Sequence, residues 1–534
     1  MFKVLITDPI STKGIDILNK EKDIEVDYQP EIKWEELLEI VGEYDAIITR
    51  SRTPVNKELL ERATNLKVVG RAGVGVDNVD LEECSKRGIL VVNTPGANTI
   101  GAAEIAMAHL YTVLRRLHLA HEDMLKGNWN RKKFMGEELD GKVVGIVGLG
   151  NVGSQVAIRC KAAGATVIAY DPYIPREKGD RLGVELVDTL DELVKRSDII
   201  TLHCPLTEET KGMIGAREFE MMKDGVYFIN AARGGIVDED AMYEYMKKGK
   251  FAGVGLDVFS KEPPDDRIRK LFEFPNISLS PHIGANTYES QDKVAIKIAQ
   301  QVINALKGRF VDAAVNAPFT ITEGMASIKA FLELAEKMGS FLTQYAGAHF
   351  KEVIVEVRGN IKEYIDPITA YVLKGFLSPI LERDVNIINA PYLAKERGIT
   401  VSKLTKEEGE NFKDFIKITA KNDTEEKIIG GTAFYGTMPR IMLIDNYWID
   451  IEPQGVILIF ENKDVPGVIA KVGEVLAKHN INIAGFRLGR IEKGSIALGA
   501  LELDDKLNKD ILEEISKIPE VMKAKEIILW EILF

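Results

Sequence analysis

Cysteine is nearly absent. Cys84, Cys160 and Cys204 are the only three in 534 residues, far apart and without metal-ligand spacing. That excludes a disulfide framework and a cysteine-based zinc site. No apolar run approaches the ~20 residues that cross a bilayer. The opening MFKVLITDPI lacks a charged segment followed by a long apolar core, so no secretory leader is expected. Surplus positive charge is also missing: 69 Lys and Arg stand against 82 Asp and Glu, a net charge of -13. A field of that sign does not hold nucleic acid or anionic lipid nonspecifically. Low-complexity tracts and short repeats do not occur. The expectation is a reduced, soluble, cytoplasmic protein with no metal site and neither nucleic-acid nor membrane partners.

What is present is ordinary globular composition, 45% hydrophobic and 28% charged, in a chain long enough for roughly three to five domains. Over the first two-thirds, short apolar runs alternate with amphipathic segments. FKVLITD, YDAIITR, LKVVGRAG and ILVVNTPG read as strands of one series; KVVGIVGLG, ATVIAYD, DIITLHCP, GVYFINAA, GVGLDVF and ISLSPHIG form a second. A single long helical stretch, GAAEIAMAHLYTVLRRLHLAHEDML, is expected between them, and TYESQDKVAIKIAQQVINALKG follows as a helix. Alternation of this kind builds parallel sheets with helices on both faces. The expected class is α/β: two Rossmann-like or flavodoxin-like parallel-sheet domains side by side. Near Val315-Asn316-Ala317-Pro318 the rhythm changes, and an α+β region runs to about Pro453. From Gly455 the order strand, helix, strand, strand, helix, strand is ferredoxin-like.

Gly148-Leu149-Gly150-Asn151-Val152-Gly153 is a GxGxxG with its full context. It follows an apolar strand, opens the helical segment SQVAIRCKAAG, and precedes the strand TVIAYD that ends at Asp171. The glycines allow a tight turn, close approach to a pyrophosphate and close helix packing, while the helix N-terminus faces the phosphates. Asp171 stands where a carboxylate accepts bonds from the adenosine ribose. It would repel a 2′-phosphate, so NAD is expected rather than NADP. Gly73-Val74-Gly75 lacks the third glycine and the helix, and is not a second fingerprint.

Among seven histidines, His109, His118 and His121 lie in the helical stretch and read as packing or surface residues. His282 stands just past the strand ISLSP, Glu262 follows GVGLDVFSK, and Arg233 follows YFINAA. Open α/β sheets bind ligands at the C-terminal ends of their strands. Each residue alone could be innocent; together, after a nucleotide fingerprint, they read as a catalytic set. Oxidising a secondary alcohol needs a base for the hydroxyl proton, and histidine suits neutral pH. Glu262 would orient the imidazole, and Arg233 could grip a substrate carboxylate in two-pronged fashion. Arg50-Ser51-Arg52-Thr53 and Arg71 follow strands of the first series, where they could neutralise a substrate phosphate.

The fingerprint, Asp171, NAARGGIVDED, GLDVFSKEPP, SPHIGA and RAGVGVDNVD resemble the D-isomer-specific 2-hydroxyacid dehydrogenase family. VLKGFLSPIL, NAPYLAKERGI and DVPGVIAKVG extend the likeness over nearly the whole chain, to the long form that oxidises D-3-phosphoglycerate. That resemblance implies a substrate-binding domain over 1–94 and 284–314 and an NAD-binding domain over 95–283. It implies an intervening domain over 315–453 and an ACT regulatory domain over 454–534. It places Gly148, Gly150, Asn151, Val152, Gly153, Asp171, Val74, Cys204, Ala231, Ala232, Asp257, Gly284 and Ala285 at NAD. It places Arg50, Ser51, Arg71, Gly73, Asn98, Arg233 and His282 at substrate. It implies a homo-oligomer, dimer or tetramer, in which Arg131-Lys132-Lys133 reaches a neighbouring site. In the last unit Asn462, Asp464 and Asn482 would hold a small amino acid, L-serine foremost. Two alternatives stay open: a glyoxylate or D-lactate type reductase, and a non-catalytic NAD sensor.

Overall fold

The first strand series forms a parallel sheet of β1 (Phe2–Ile6), β2 (Ile24–Tyr28), β3 (Ala46–Thr49), β4 (Val68–Arg71) and β5 (Leu90–Val92), ordered β2-β1-β3-β4-β5. Every residue of β3, AIIT, is buried, as expected of a parallel strand covered on both faces. Part of that cover comes from far along the chain. The helix Tyr288–Leu306 buries Val294, Ala295, Ile298 and Val302 against this sheet. Contact is close enough that a Cβ on Gly70 would lie 2.7 Å from Val302 Cγ2. The computed structural model describes residues 1–319, 323–347, 349–381, 384–407 and 411–529.

The second series forms seven parallel strands: β6 (Val143–Val147), β7 (Thr166–Tyr170), β8 (Glu185–Leu186), β9 (Ile199–Leu202), β10 (Val226–Asn230), β11 (Phe251–Leu256) and β12 (Ile277–Leu279). Their order is β12-β11-β10-β9-β6-β7-β8. Chain direction across the sheet reverses at β6, the switch point at which doubly wound sheets open a ligand crevice.

The single long helix expected before β6 is two helices, Thr99–Leu114 and Leu117–Leu125, with Arg116 left-handed between them (φ 51°). The returning segment Gly136-Glu137 crosses the end of the first helix, and Glu137 N donates to Leu114 O at 2.9 Å. That bond takes a carbonyl that helix continuation would have used. Periodicity alone does not register a crossing segment.

The third sheet is mixed: β13 (Glu352–Arg358), β14 (Thr400–Lys406), β15 (Phe415–Lys421), β16 (Glu426–Phe434), β17 (Met438–Ile444) and β18 (Tyr447–Ile451). β13 and β14 pair parallel and the remaining neighbours antiparallel. The fourth sheet contains β19 (Gly455–Lys463), β20 (Ile483–Arg490), β21 (Ile496–Leu503) and β22 (Val521–Leu529), in the antiparallel order β20-β21-β19-β22. Its helices Val468–Lys478 and Lys509–Ser516 cover one face through Val472, Leu476 and Ile515. The other face is not free. Ile457, Ile459, Leu498, Ile527 and Leu529 join one core with the helix Lys329–Ala346 and the third sheet. Gln344 fastens the joint, its amide bonded both ways to the Ile528 backbone at 2.9 and 3.0 Å. Among the described residues no helix is long and apolar enough to span a membrane, and no group of three potential metal ligands clusters.

Candidate active site

The turn after β6 has the shape that a dinucleotide requires. Gly148 is left-handed (φ 91°), and a Cβ there would lie 2.8 Å from Cys204 N and 2.9 Å from His203 C. A side chain on Gly153 would lie 2.0 Å from Gly148 O. Gly150, by contrast, faces open space with nothing within 4 Å, directly before the helix Asn151–Ala162, which has no side-chain cap. Free N–H groups and the positive helix end therefore face an open cradle. Asp171 directly follows β7 beside it; Oδ2 accepts from Leu149 N at 2.9 Å and Oδ1 from Tyr173 N at 3.0 Å. A carboxylate offers about four acceptor positions, so a ribose can still be served. These residues fit NAD. Val74, half-buried in the first domain, has its carbonyl held by Asn93 Nδ2 at 2.7 Å. Burial pushes the Cys204 thiol up to about 11, so it stays protonated near neutrality and is no nucleophile.

His282 lies in a left-handed turn (φ 53°) just beyond β12. Its Nδ1 is 2.7 Å from Glu262 Oε2, and Glu262 Oε1 accepts from Phe259 N at 3.1 Å. Burial pushes the Glu262 carboxyl up, but the His282 hydrogen bond and charge, the Phe259 N–H and Arg233 outweigh it. The net pKa lies below the ordinary carboxylate value, and the group is an anion near neutrality. Asp257 is 1% exposed beneath the turn. Its carboxylate accepts from Ser280 Oγ (2.5 Å), Ile283 N (2.8 Å) and Gly284 N (3.0 Å), and its carbonyl from His282 N (2.8 Å). Most of its acceptor capacity therefore braces the turn. Asn98 precedes the helix Thr99–Leu114, whose Gly101 packs on the Gly284 carbonyl.

Three guanidiniums cluster nearby: the Arg233 charge acts on Glu262, and the charges of Arg233 and Arg50 act on Arg71. Arg71 Nη2 lies 3.2 Å from Ser51 Oγ, and a Cβ on Gly73 would overlap Arg71 Nη1 at 1.6 Å. Burial, then the charges of Arg233 and Arg50, pull Arg71 down to about 10. Burial likewise lowers Arg50, with Asp8 opposing. Burial and like charge together disfavour the protonated Arg71, an environment that an anion would relieve. Arg233 is held from below by Asn230, buried at the end of β10, whose amide donates to Arg233 O at 2.9 Å and accepts from Ala232 N at 3.0 Å. Ala231 and Ala232 form the turn between them.

Three supporting residues escaped the sequence reading. Asp77, in the first domain, lies 3.4 Å from Arg233 Nε, which follows β10. Asn78 donates to Arg50 O and Thr53 O, both at 2.7 Å, and Asp8 accepts from Arg50 N at 2.6 Å. Asp8, in TDP after the first strand, had a strand-end position that could have flagged it. His109 is buried; His118 bonds Pro275 O at 3.0 Å, and His121 is exposed.

Asn462, Asp464 and Asn482 lie in the fourth unit, and one chain does not bring them together. Asn462 pairs with Ala497 at one end of the sheet, while Asn482 precedes Ile483, paired with Leu503 at the other. Asn482 donates to Asp504 at 2.7 Å. Asp464 Oδ2 accepts from Gly494 N at 2.9 Å and Arg490 Nη1 at 3.3 Å. Asn462 Oδ1 is buried with no hydrogen-bond partner among the described residues.

Family models match three stretches: the D-isomer specific 2-hydroxyacid dehydrogenase NAD binding domain at 107–284, the D-3-phosphoglycerate dehydrogenase intervening domain at 327–445, and the ACT domain at 456–520. A D-3-phosphoglycerate dehydrogenase from Archaeoglobus fulgidus is 42% identical over 98% of this chain and 99% of its own length. The chain belongs to the D-3-phosphoglycerate dehydrogenase family. A family member from Bacillus subtilis is 37% identical over 98% of this chain and 99% of its own. Among solved structures, an Aquifex aeolicus D-lactate dehydrogenase complexed with NAD and lactic acid matches with TM-score 0.52 and 30% identity. It covers 57% of this chain and 96% of its own. The stretch matched as an NAD binding domain contains the glycine turn of Gly148, Gly150 and Gly153 and the carboxylate of Asp171.

Proposed function

We propose that this protein oxidises D-3-phosphoglycerate to 3-phosphohydroxypyruvate, the first step of the phosphorylated route to L-serine, as a cytoplasmic NAD-dependent enzyme. The observation that carries the substrate is the cluster of Arg50, Arg71 and Arg233, joined to the His282–Glu262 pair through the action of Arg233 on Glu262. Two anion-binding points suit a molecule with a carboxylate at one end and a phosphate at the other. NAD, when bound, supplies the acceptor for the hydride leaving the hydroxyl-bearing carbon. Arg233 holds the substrate carboxylate by paired charge-assisted bonds. Arg50, Ser51 and Arg71, with the Gly73 backbone, hold the phosphate. Glu262 occupies His282 Nδ1, so Nε2 faces the substrate and takes the hydroxyl proton. Asp257 keeps the 281–284 turn in place, and Asp257, Gly284 and Ala285 would hold the nicotinamide end of NAD at this same turn. Val74, Cys204, Ala231 and Ala232 wall the cofactor by packing and backbone contacts, and Asn98 borders the substrate.

The working unit is a homo-oligomer. Leu117, Met124, Leu125, Trp129 and Met135 are exposed around Arg131-Lys132-Lys133, a surface suited to a second copy. The fourth unit holds L-serine between two copies, with Asn462 and Asp464 from one and Asn482 from the other; the unpartnered Asn462 Oδ1 supports this. A D-lactate or glyoxylate reductase would need only one anion-binding point, and a non-catalytic sensor would need no Glu262–His282 pair. A panel of 3-phosphoglycerate, D-lactate and glycolate with NAD, and glyoxylate with NADH, each with and without serine, tests the reading. The expected result is turnover of 3-phosphoglycerate, lowered by serine. Turnover confined to the unphosphorylated acids would overturn the substrate.

A further inference from the structure

His109 is 4% exposed in the helix Thr99–Leu114, behind the sheet edge that carries His282. It has two partners, both serines around the end of β12. Nδ1 lies 2.9 Å from Ser278 Oγ and Nε2 lies 2.7 Å from Ser280 Oγ. Residues 278 and 280 share one face of an extended strand, so both hydroxyls meet one ring. The neighbouring strand makes room: a Cβ on Gly255 would lie 2.7 Å from His109 Cβ.

The directions of these bonds follow from the far end. Ser280 Oγ is 2.5 Å from Asp257 Oδ1, and a carboxylate only accepts. The Ser280 proton therefore goes to Asp257, and Ser280 Oγ must accept from His109 Nε2–H. Nδ1 is then the acceptor for the Ser278 hydroxyl. One neutral tautomer satisfies every group, and burial favours the neutral ring by lowering the His109 pKa, with Asp257 opposing.

We infer that His109 is a positioning residue. Its Nε2–H, through Ser280, locks the Asp257 carboxylate in the orientation that grips Ile283 N and Gly284 N and so holds the turn that aims His282. The inference rests on His282 being the proton acceptor. Without the ring, Ser280 loses a donor and Asp257 regains rotational freedom. His282 then samples geometries outside the reactive one, which costs turnover rather than substrate affinity.

The test uses the full chain with 3-phosphoglycerate and NAD. His109→Leu fills the space without a polar atom; His109→Gln can both donate to Ser280 and accept from Ser278. His109→Leu should lower kcat about 3- to 10-fold, the share of one buried hydrogen bond, with KM for 3-phosphoglycerate within about twofold. His109→Gln should restore most of kcat. In the Ser280→Ala background, His109→Leu should cause little further loss. Wild-type kcat in folded His109→Leu, or an equal loss in His109→Gln, would overturn the inference, because packing alone does not distinguish a donor from none. If His109→Leu fails to fold, Ser280→Ala carries the same test, and wild-type kcat there is equally fatal. His282→Ala runs alongside: full activity in that variant would refute the proton-acceptor reading itself, whereas an inactive His282→Ala beside an unaffected Ser280→Ala would refute the relay alone.

Discussion

Glu262→Gln removes one charge and keeps the shape of the side chain. The carboxylate now serves two donors, His282 Nδ1 at 2.7 Å through Oε2 and Phe259 N at 3.1 Å through Oε1. Glutamine has a single side-chain oxygen, so its amide nitrogen must face one of those donors. The imidazole loses its charged partner and one fixed orientation. A hydrogen bond to a charged group contributes about 1.5–3 kcal/mol. The His282 and Glu262 side chains are 45% and 38% exposed, so water screens the pair and the lower end applies. At 1.36 kcal/mol per factor of ten, kcat should fall about 10- to 30-fold. NADH affinity should not change, because neither atom belongs to the glycine cradle. Wild-type Glu262 has a lowered pKa, so the pair's stabilisation is complete above the ordinary carboxylate value of about 4.3. It is lost as pH falls through the folded value. Steady-state rates from pH 5 to 9, with NADH titration by fluorescence, give both quantities. Wild-type kcat in the variant at every pH would refute the assignment of Glu262.

Other perturbations reach different parts of the site. Arg71→Ala should raise KM for 3-phosphoglycerate about 10- to 100-fold more than for an unphosphorylated 2-hydroxy acid, through lost charge-assisted bonds; an equal rise for both would point to general damage. Gly148→Ala places a methyl against Cys204 N in a left-handed turn, and calorimetric titration should show NADH affinity reduced at least about tenfold. Burial pulls His203 down to about 3, so its contribution to stability is complete above the unfolded value of about 6.5 and declines as pH falls toward 3. His203→Gln should therefore flatten the Tm–pH curve between about pH 6 and pH 4; parallel curves would contradict this.

The parts legible in the sequence are those with a period or a fixed local order. Fully buried runs such as AIIT and IITL mark parallel strands. The GxGxxG is informative because strand, turn, helix and Asp171 follow one another. Arg233, Glu262 and His282 were findable because open sheets place chemistry at strand ends. What the sequence hid are contacts between distant residues. Asp77 with Arg233, and His109 with Ser280, leave no periodic trace, and Asn230 looks like any polar residue after a strand. The break at Arg116 comes from a crossing segment. The shared core of the third and fourth sheets is hidden likewise, because the open face of β19 and β22 reads as it would against any apolar partner. One consequence is practical: cutting the chain at Gly455 would strip Gln344 and Tyr345, on the helix Lys329–Ala346, of their bonds to Ile528 and Glu461. A point change such as Asp464→Ala is the cleaner probe of serine binding.

The central claim is that this cleft oxidises the hydroxyl-bearing carbon of D-3-phosphoglycerate with NAD. The most direct measurement supplies substrate deuterated at that carbon and reads the NADH formed by mass spectrometry. One deuterium per NADH is expected from the D-isomer, none from the L-isomer, and none with His282→Ala. Unlabelled NADH from the D-isomer, or label transfer undiminished in His282→Ala, would contradict the claim.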